Sequence, residues 1–404
     1  MTRIPVDPAR MLADLDHLRT IGGQGTGVAR RAFSEPDIAA RRRLADQMQA
    51  AGLQVVVDPC GNLFGVPQGD GPFLLVGSHS DTQPLGGWLD GIWGVVCGLE
   101  LARCDPRIAV VSFQDEEGRF GRLTGSSFWT GQMSLAEADA CLDEDALSEP
   151  ISFATARDRA VEIGPLGSVS PDRFSAYIEP HIEQGPVLDA TGQVVGVVEA
   201  IVGVRQWSFR FEGEANHAGT TPMPLRRDAL QGFAAFAVAL NATFAAMASD
   251  RTVWTLGRAV VEPNASSIVP GAITFTVQIR DAEVGRLDTM AAEARTLAEH
   301  VAAEHRLVLH ASPGFSVEPV QMDTRLRHTL EAAAEAVAPG RWQAMPSGAL
   351  HDASNVAMVL PTAMLFAPSI GGISHNPAED TRREDLATAL NVLAEAAGRL
   401  IRKG

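Results

Sequence analysis

The sequence predicts an α/β protein of two lobes, and three observations predict it. At 404 residues the chain exceeds what one ordinary hydrophobic core occupies. In its first part, short apolar runs that stop abruptly at small or charged residues alternate with helix-like stretches, the pattern of strands joined by crossovers. Within residues 205–315, two stretches place apolar residues on every second position, as in strands with one wet face.

The elements follow in order. Apolar residues recurring every three or four positions mark helices over 11–18 and 37–51. Residues 73–76 and 108–113 read as buried strands, separated by a helix-like stretch at 91–104. Ligands collect at the carboxyl ends of such strands, and these end in the sequences GSHSDT and QDEEG. Alternation over 206–212 and 272–280 marks exposed-face strands, with an Ala-rich helix over 227–248 between them. A helix over 285–304 and a strand over 307–310 complete a small antiparallel α+β domain, 205–315, inserted into a larger one formed by 1–204 and 316–404. A helix over 325–338, a strand over 361–366 and an amphipathic helix over 383–401 close the chain. No internal repeat or low-complexity tract is present.

Composition narrows the function. With 46% hydrophobic and 20% charged residues the chain is of ordinary globular type. No window approaches eighteen uninterrupted apolar residues and the first residues lack a signal-peptide layout, so the expectation is a cytoplasmic protein without a membrane span. The 33 Lys and Arg against 49 Asp and Glu give a formal charge of -16 without a long basic block, which argues against nucleic acid or anionic membrane and for a small-molecule substrate. Cys60, Cys97, Cys104 and Cys141 show no CxxC spacing, so neither a disulfide framework nor a thiolate metal site is expected.

Of ten histidines, His17, His300, His305, His310 and His328 sit in ordinary helical or strand texture and read as surface or packing residues. The other five, His79, His181, His217, His351 and His375, are flanked by small residues or Pro that bring backbone close to a site. His79 ends an apolar strand, and Asp90 follows before a helix. Imidazole and carboxylate are the usual ligands of a borderline divalent ion, and an aspartate has two oxygens with which to bridge two ions. Asp81 is placed to accept the other imidazole N–H, fixing the tautomer. The bland reading of this cluster is a turn with a capping aspartate. Glu116 and Glu117 are adjacent at the end of a strand. Where that strand turns into a Gly-rich loop both can approach one centre, one to ligate and the other to handle protons, although surface acids are common in so acidic a chain and the pair taken alone reads more readily as two of them. No GxSxG elbow, cysteine-nucleophile signature, P-loop or dinucleotide fingerprint is present.

The ordered motifs GSHSDT with GGWLDG, DEEG, HIEQGPVLD, NHAGTTPMPLRRDA, PNASSIVPG with IRD, SGALHDA and GISHNPAE span residues 77–379. This set resembles the hydantoinase/carbamoylase amidases, which include N-carbamoyl-L-amino-acid hydrolases, allantoate and ureidoglycolate amidohydrolases and β-ureidopropionases, within the di-zinc aminoacylase and carboxypeptidase superfamily. The resemblance implies a di-metal peptidase-like catalytic domain with an inserted ferredoxin-like lid and dimerisation domain. It implies that Asp90 bridges two metal ions, one held also by His79 and His181, the other by Glu117 and His375, with Glu116 as general base and room for a bridging water. Zinc is expected, and manganese, cobalt or nickel would fit the same ligands. His181, where peptidase relatives carry a carboxylate, fits the amidohydrolase branch. His217 is similar to the histidine that reaches the neighbouring subunit's site in a homodimer and stabilises the oxyanion. Asn264 and Arg280 match positions that hold the substrate carboxylate, and Gln184 and His351 match further substrate-contacting positions.

Two departures stand out. The loop after Glu117 is one residue shorter than in the family, running directly into Arg119-Phe120, and Leu350 occupies a usual Gly position beside His351. The expected activity is metal-dependent hydrolysis of a linear C–N bond in an N-carbamoyl (ureido) acid. The alternatives are an N-acyl amino acid hydrolase or dipeptidase with the same metal centre, or a non-catalytic relative that binds a ligand. The last predicts a lost ligand or base, whereas all six of His79, Asp90, Glu116, Glu117, His181 and His375 are present.

Overall fold

A computed structural model describes residues 3–143 and 150–402, which include every candidate site residue. The chain forms two compact units, one of Met1–Glu199 with Met322–Gly404 and one of Ala200–Gln321.

The centre of the first unit is a run of four parallel strands, Ile108–Phe113, Phe73–His79, Phe174–Ile182 and Thr362–Ala367, in that spatial order. Three of these are mainly apolar and buried at every position, as suits strands covered on both sides. Antiparallel strands Leu63–Val66 and Gln54–Val57 extend one edge; Val195–Ile201, antiparallel to Thr362–Ala367, extends the other and pairs with Trp342–Ser347. Register aligns the carboxyl ends: His79 lies opposite Phe113, and His181 opposite Phe366. The helix Ile92–Ala102 is buried throughout its length. It approaches the sheet closely because Gly94 carries no side chain; a Cβ there would meet the Pro180 carbonyl oxygen at 2.2 Å.

Phe174–Ile182 is a central strand that apolar patterning does not reveal, because Glu179, Pro180 and His181 interrupt it. Its buried acid is satisfied: Glu179 accepts from the Ser78 hydroxyl at 2.7 Å and the Ala353 amide at 2.7 Å.

The second unit reads strand, helix, strand, strand, helix, strand. Its antiparallel sheet runs Val253–Glu262, Ala272–Asp281, Gly203–Glu212, Val308–Val317, which is the split βαβ arrangement of ferredoxin-like folds. It begins before 205 and ends after 315: its first strand in chain order starts at Gly203 and its fourth ends at Val317. Phe209, Phe211 and Phe275 from the sheet pack with Phe236, Leu240, Leu287 and Met290 from the helices Ala229–Met247 and Val284–Glu304. Asp228 caps the first helix by accepting from the Leu230 and Gln231 amides. Among the described residues this is the one helix long and apolar enough to cross a membrane. Its Gly232, Phe236, Leu240 and Phe244, four apart, form the face packed into this core, while Val238 is 73% exposed.

Candidate metal centre

Three segments that carry candidate ligands meet at the carboxyl ends of the parallel strands. His79 is the last residue of its strand and His181 the penultimate residue of its own, both 1% exposed. Asp90, 3% exposed, lies in the turn before the helix Ile92–Ala102. Gly91, in the left-handed region at φ 66°, completes that turn, and a Cβ on it would fall 2.4 Å from His79 Nε2.

The two oxygens of Asp90 face different partners. Oδ1 is 3.1 Å from His181 Nε2 and 3.8 Å from His79 Nε2. Oδ2 is 3.2 Å from His375 Nε2, which is itself 3.4 Å from Glu117 Oε2. His79, Asp90 and His181 form one group whose donor atoms all lie within 4.8 Å of one another, and Asp90, Glu117 and His375 form a second. His181 Nε2 is buried without a partner in hydrogen-bonding geometry, and a buried imidazole nitrogen aimed at a carboxylate suits a cation between them. The donor set, three imidazoles and two carboxylates with one carboxylate shared, fits two borderline divalent ions. The first group is buried, and the second opens at His375, whose side chain is 49% exposed.

Ring orientation is fixed from behind. His79 Nδ1 lies 3.1 Å from the Asp81 carbonyl oxygen, and His181 Nδ1 2.9 Å from that of Ile182, which directs each Nε2 toward the centre. The Asp81 carboxylate is farther from the imidazole, at 3.5 Å, and accepts instead from the backbone amides of Glu116 and Glu117 at 3.4 and 3.2 Å. One residue thus serves both ligand-bearing strand ends. Asp115, at φ 57°, draws in the following loop by accepting from the Phe120 and Gly121 amides and the Thr124 hydroxyl.

Glu116 Oε2 lies 3.7 Å from His79 Nε2. Burial raises its carboxyl well above the usual carboxylate range, and burial together with Asp90 raises Glu117 to about 7. Burial acts the same way on Asp90, but the imidazoles of His181 and His375 outweigh it and hold that carboxyl well below the usual range. The environments of Glu116 and Asp90 therefore push in opposite directions, as in sites that separate a proton carrier from a permanent anion.

Gln184, at φ 57°, places Nε2 3.2 Å from both Asp90 oxygens and 3.3 Å from His375 Nε2. His351 is 1% exposed, with its Nε2 2.8 Å from the Ser347 hydroxyl and its ring 4.5 Å from that of His181 in an edge-to-face arrangement. Burial holds its imidazole well below the usual range, so it is neutral. Leu350 beside it is partly buried.

Three candidates belong to the second unit. His217 lies on the short exposed strand Asn216–His217, paired with Ile268–Val269. Its Nδ1 accepts from the Gly219 and Thr220 amides at 3.0 and 3.2 Å, which leaves the ring proton on Nε2. Asn264 is exposed at φ 54°, and Arg280, near the end of Ala272–Asp281, donates from Nε to Gln278 at 3.1 Å.

The sequence patterns missed several residues that hold this centre. Gln83 donates from Nε2 to Glu117 Oε2 at 2.6 Å. Arg41, fully buried, donates to the hydroxyls of Ser80 and Ser112 and the carbonyls of Gly61, Ser112 and Phe113. Arg30, also buried, donates to the Ser80 carbonyl at 2.7 Å. Ser80 stands between His79 and Asp81, so both guanidinium groups fix the turn that carries the first candidate ligand.

Over residues 75–399 the chain matches Peptidase family M20/M25/M40. It is 33% identical to the N-carbamoyl-L-amino-acid amidohydrolase of Paenarthrobacter aurescens, over 97% of this chain and 98% of that one. It is 34% identical to the allantoate amidohydrolase of Escherichia coli (strain K12), over 91% and 92%. The crystal structure of an amidase of the hydantoinase/carbamoylase family from Burkholderia phymatum superposes with a TM-score of 0.92 at 39% identity over the whole of both chains. The chain belongs to Peptidase family M20/M25/M40, among its hydantoinase/carbamoylase amidases.

Proposed function

We propose that this protein is a two-metal amidohydrolase that cleaves the linear C–N bond of an N-carbamoyl (ureido) acid. The observation that carries the reading is Asp90, whose two oxygens face two separate groups of imidazole and carboxylate donors, with the buried Glu116 beside them. The relatives named as carbamoyl-amino-acid and allantoate amidohydrolases supply the substrate class.

His79, His181 and Asp90 would hold one cation, and Asp90, Glu117 and His375 the other, zinc first and manganese, cobalt or nickel as substitutes. Two such ions supply Lewis acidity and make water acidic near neutral pH. Glu116 takes a proton from the attacking water and delivers it to the leaving nitrogen, a task that suits a buried carboxyl of raised pKa. Gln184 and His351 line the substrate's side of the centre. His217, with its proton on Nε2, donates to the developing oxyanion of the partner subunit's site in a homodimer formed through the inserted unit. Arg280 and Asn264 hold the substrate carboxylate. A carbamoyl amino acid and water yield the amino acid, ammonia and carbon dioxide. The four free cysteines suit the cytoplasm.

Leu350, whose bulk adjoins His351, favours one second reading, hydrolysis of an N-acyl amino acid or dipeptide by the same groups. Ammonia release from N-carbamoyl-L-amino acids, allantoate and ureidoglycolate by chelator-stripped protein, with and without zinc or manganese, tests the first reading. Metal-dependent release is expected. No release from any ureido compound by metal-loaded protein, with turnover of N-acetyl or N-formyl amino acids, would establish the second.

A further inference from the structure

Glu379 is 2% exposed and lies four residues beyond His375. Its Oε1 accepts from the backbone amides of Leu89 and Asp90, both at 3.1 Å, and its Oε2 accepts from the Ser374 hydroxyl at 2.8 Å. One carboxylate therefore grips Asp90 through its own amide, across 289 positions of sequence, and His375 through the residue before it. Gly87 makes room for it, since a Cβ there would fall 1.9 Å from Oε1.

Neither gripped ligand is fixed by regular structure. Asp90 precedes its helix, and His375, at φ 53°, lies between the short turn Ile370–Gly372 and the helix Arg383–Leu400. Their side chains nonetheless meet at 3.2 Å, His375 Nε2 to Asp90 Oδ2. A buried carboxylate is costly as a space filler and stable only when fully bonded. Here its three hydrogen bonds all go to the two ligand segments.

We propose that Glu379 is a positioning residue that sets the spacing of Asp90 and His375, and thereby the affinity of the Asp90, Glu117 and His375 group for its cation. The proposal rests on the two-metal reading above. It distinguishes hydrogen bonding from charge: in Glu379→Gln the amide oxygen still accepts from Leu89 and Asp90, and the Ser374 hydroxyl turns to accept from the new NH₂, whereas Glu379→Ala loses all three bonds.

The test is zinc binding by the full-length, chelator-stripped protein in competition with a chromophoric chelator, with the visible spectrum of the cobalt-loaded protein and the thermal midpoint of the stripped protein alongside. Glu379→Ala is expected to weaken one of two zinc sites about tenfold or more and to alter the cobalt spectrum. Glu379→Gln is expected to stay within about threefold of the parent, and Ser374→Ala to show an intermediate loss at the same site. Two zinc ions bound by Glu379→Ala with parental affinity and spectrum would overturn the proposal, as would a loss in Glu379→Gln equal to that in Glu379→Ala. If Glu379→Ala does not fold, Ser374→Ala decides, and parental affinity there overturns it. A parent protein that binds no zinc or cobalt would instead overturn the two-metal reading itself.

Discussion

The candidate residues of the two units are built in opposite ways. His79, Asp90 and His181 are almost wholly buried; strand ends, backbone carbonyls and buried arginines orient the two histidines, and Glu379 and Gln184 hold Asp90. His217 and Asn264 are exposed, and the contacts that orient His217 come from its own turn. A metal cradle must be assembled before the ion arrives, because its donors repel or desolvate one another unless fixed. Residues that meet a substrate or a second subunit wait for their partner, and a self-bonded turn is enough to aim them. Substitutions should therefore act differently on the two sides.

The largest effect is expected inside the cradle. Glu116→Gln should lower kcat about a thousandfold with both metal ions still bound, since the residue handles protons and is not among the proposed ligands. Metal analysis beside kinetics checks this, and loss of metal would make Glu116 a ligand. Arg41→Met comes next. Removing a buried guanidinium that serves five acceptors should cost about 3 kcal/mol of folding stability, read from denaturant midpoints. A change under about 1 kcal/mol would mean that the turn at Ser80 holds itself.

On the exposed side, His217→Ala should lower kcat about a hundredfold with metal content and thermal midpoint unchanged. Mixing it with Glu116→Gln sharpens the comparison, because a mixed dimer restores one complete site if His217 acts across subunits. Activity that does not recover on mixing would keep His217 within its own chain.

The smallest effect lies at the margin of the cradle. Asn62 accepts from the Gln114 amide, just ahead of Asp115 and Glu116, and also donates to the buried Asp58. Burial raises the Asp58 carboxyl from 3.8 to about 6 against the donors that face it. The folded chain thus binds this proton more tightly than the unfolded chain. Its contribution to stability is complete below pH 3.8 and is lost as pH rises through about 6. The stability of the parent relative to Asp58→Asn should fall between pH 4 and 7, and a pH-independent difference would speak against a raised pKa.

Much of this was legible in the sequence, for physical reasons that vary by element. The strands ending at His79 and Phe113 announce themselves because a parallel strand covered on both faces must be apolar throughout. The strand Phe174–Ile182 is equally central but hides, since its polar residues are satisfied by partners distant in sequence, Ser78 and Ala353. Val253–Glu262 hides for a different reason: it is an edge strand, exposed along most of its length. The proposed ligand residues were visible through their small neighbours and the family motifs. The roles of Arg30, Arg41, Gln83 and Glu379 were not, even though Glu379 closes the motif GISHNPAE, because a charged or polar side chain reads as surface until the fold shows what it bonds.

The central claim is that Asp90 is shared by two cation sites. Zinc bound per chain, measured on chelator-stripped protein reloaded with excess zinc and desalted, tests it across the parent, His181→Ala, His375→Ala and Asp90→Ala. The account predicts two ions in the parent, one in each histidine variant and none in Asp90→Ala, with all four proteins folded by circular dichroism. An Asp90→Ala protein that keeps one ion as firmly as the histidine variants do would contradict it, and would make Asp90 the ligand of a single metal.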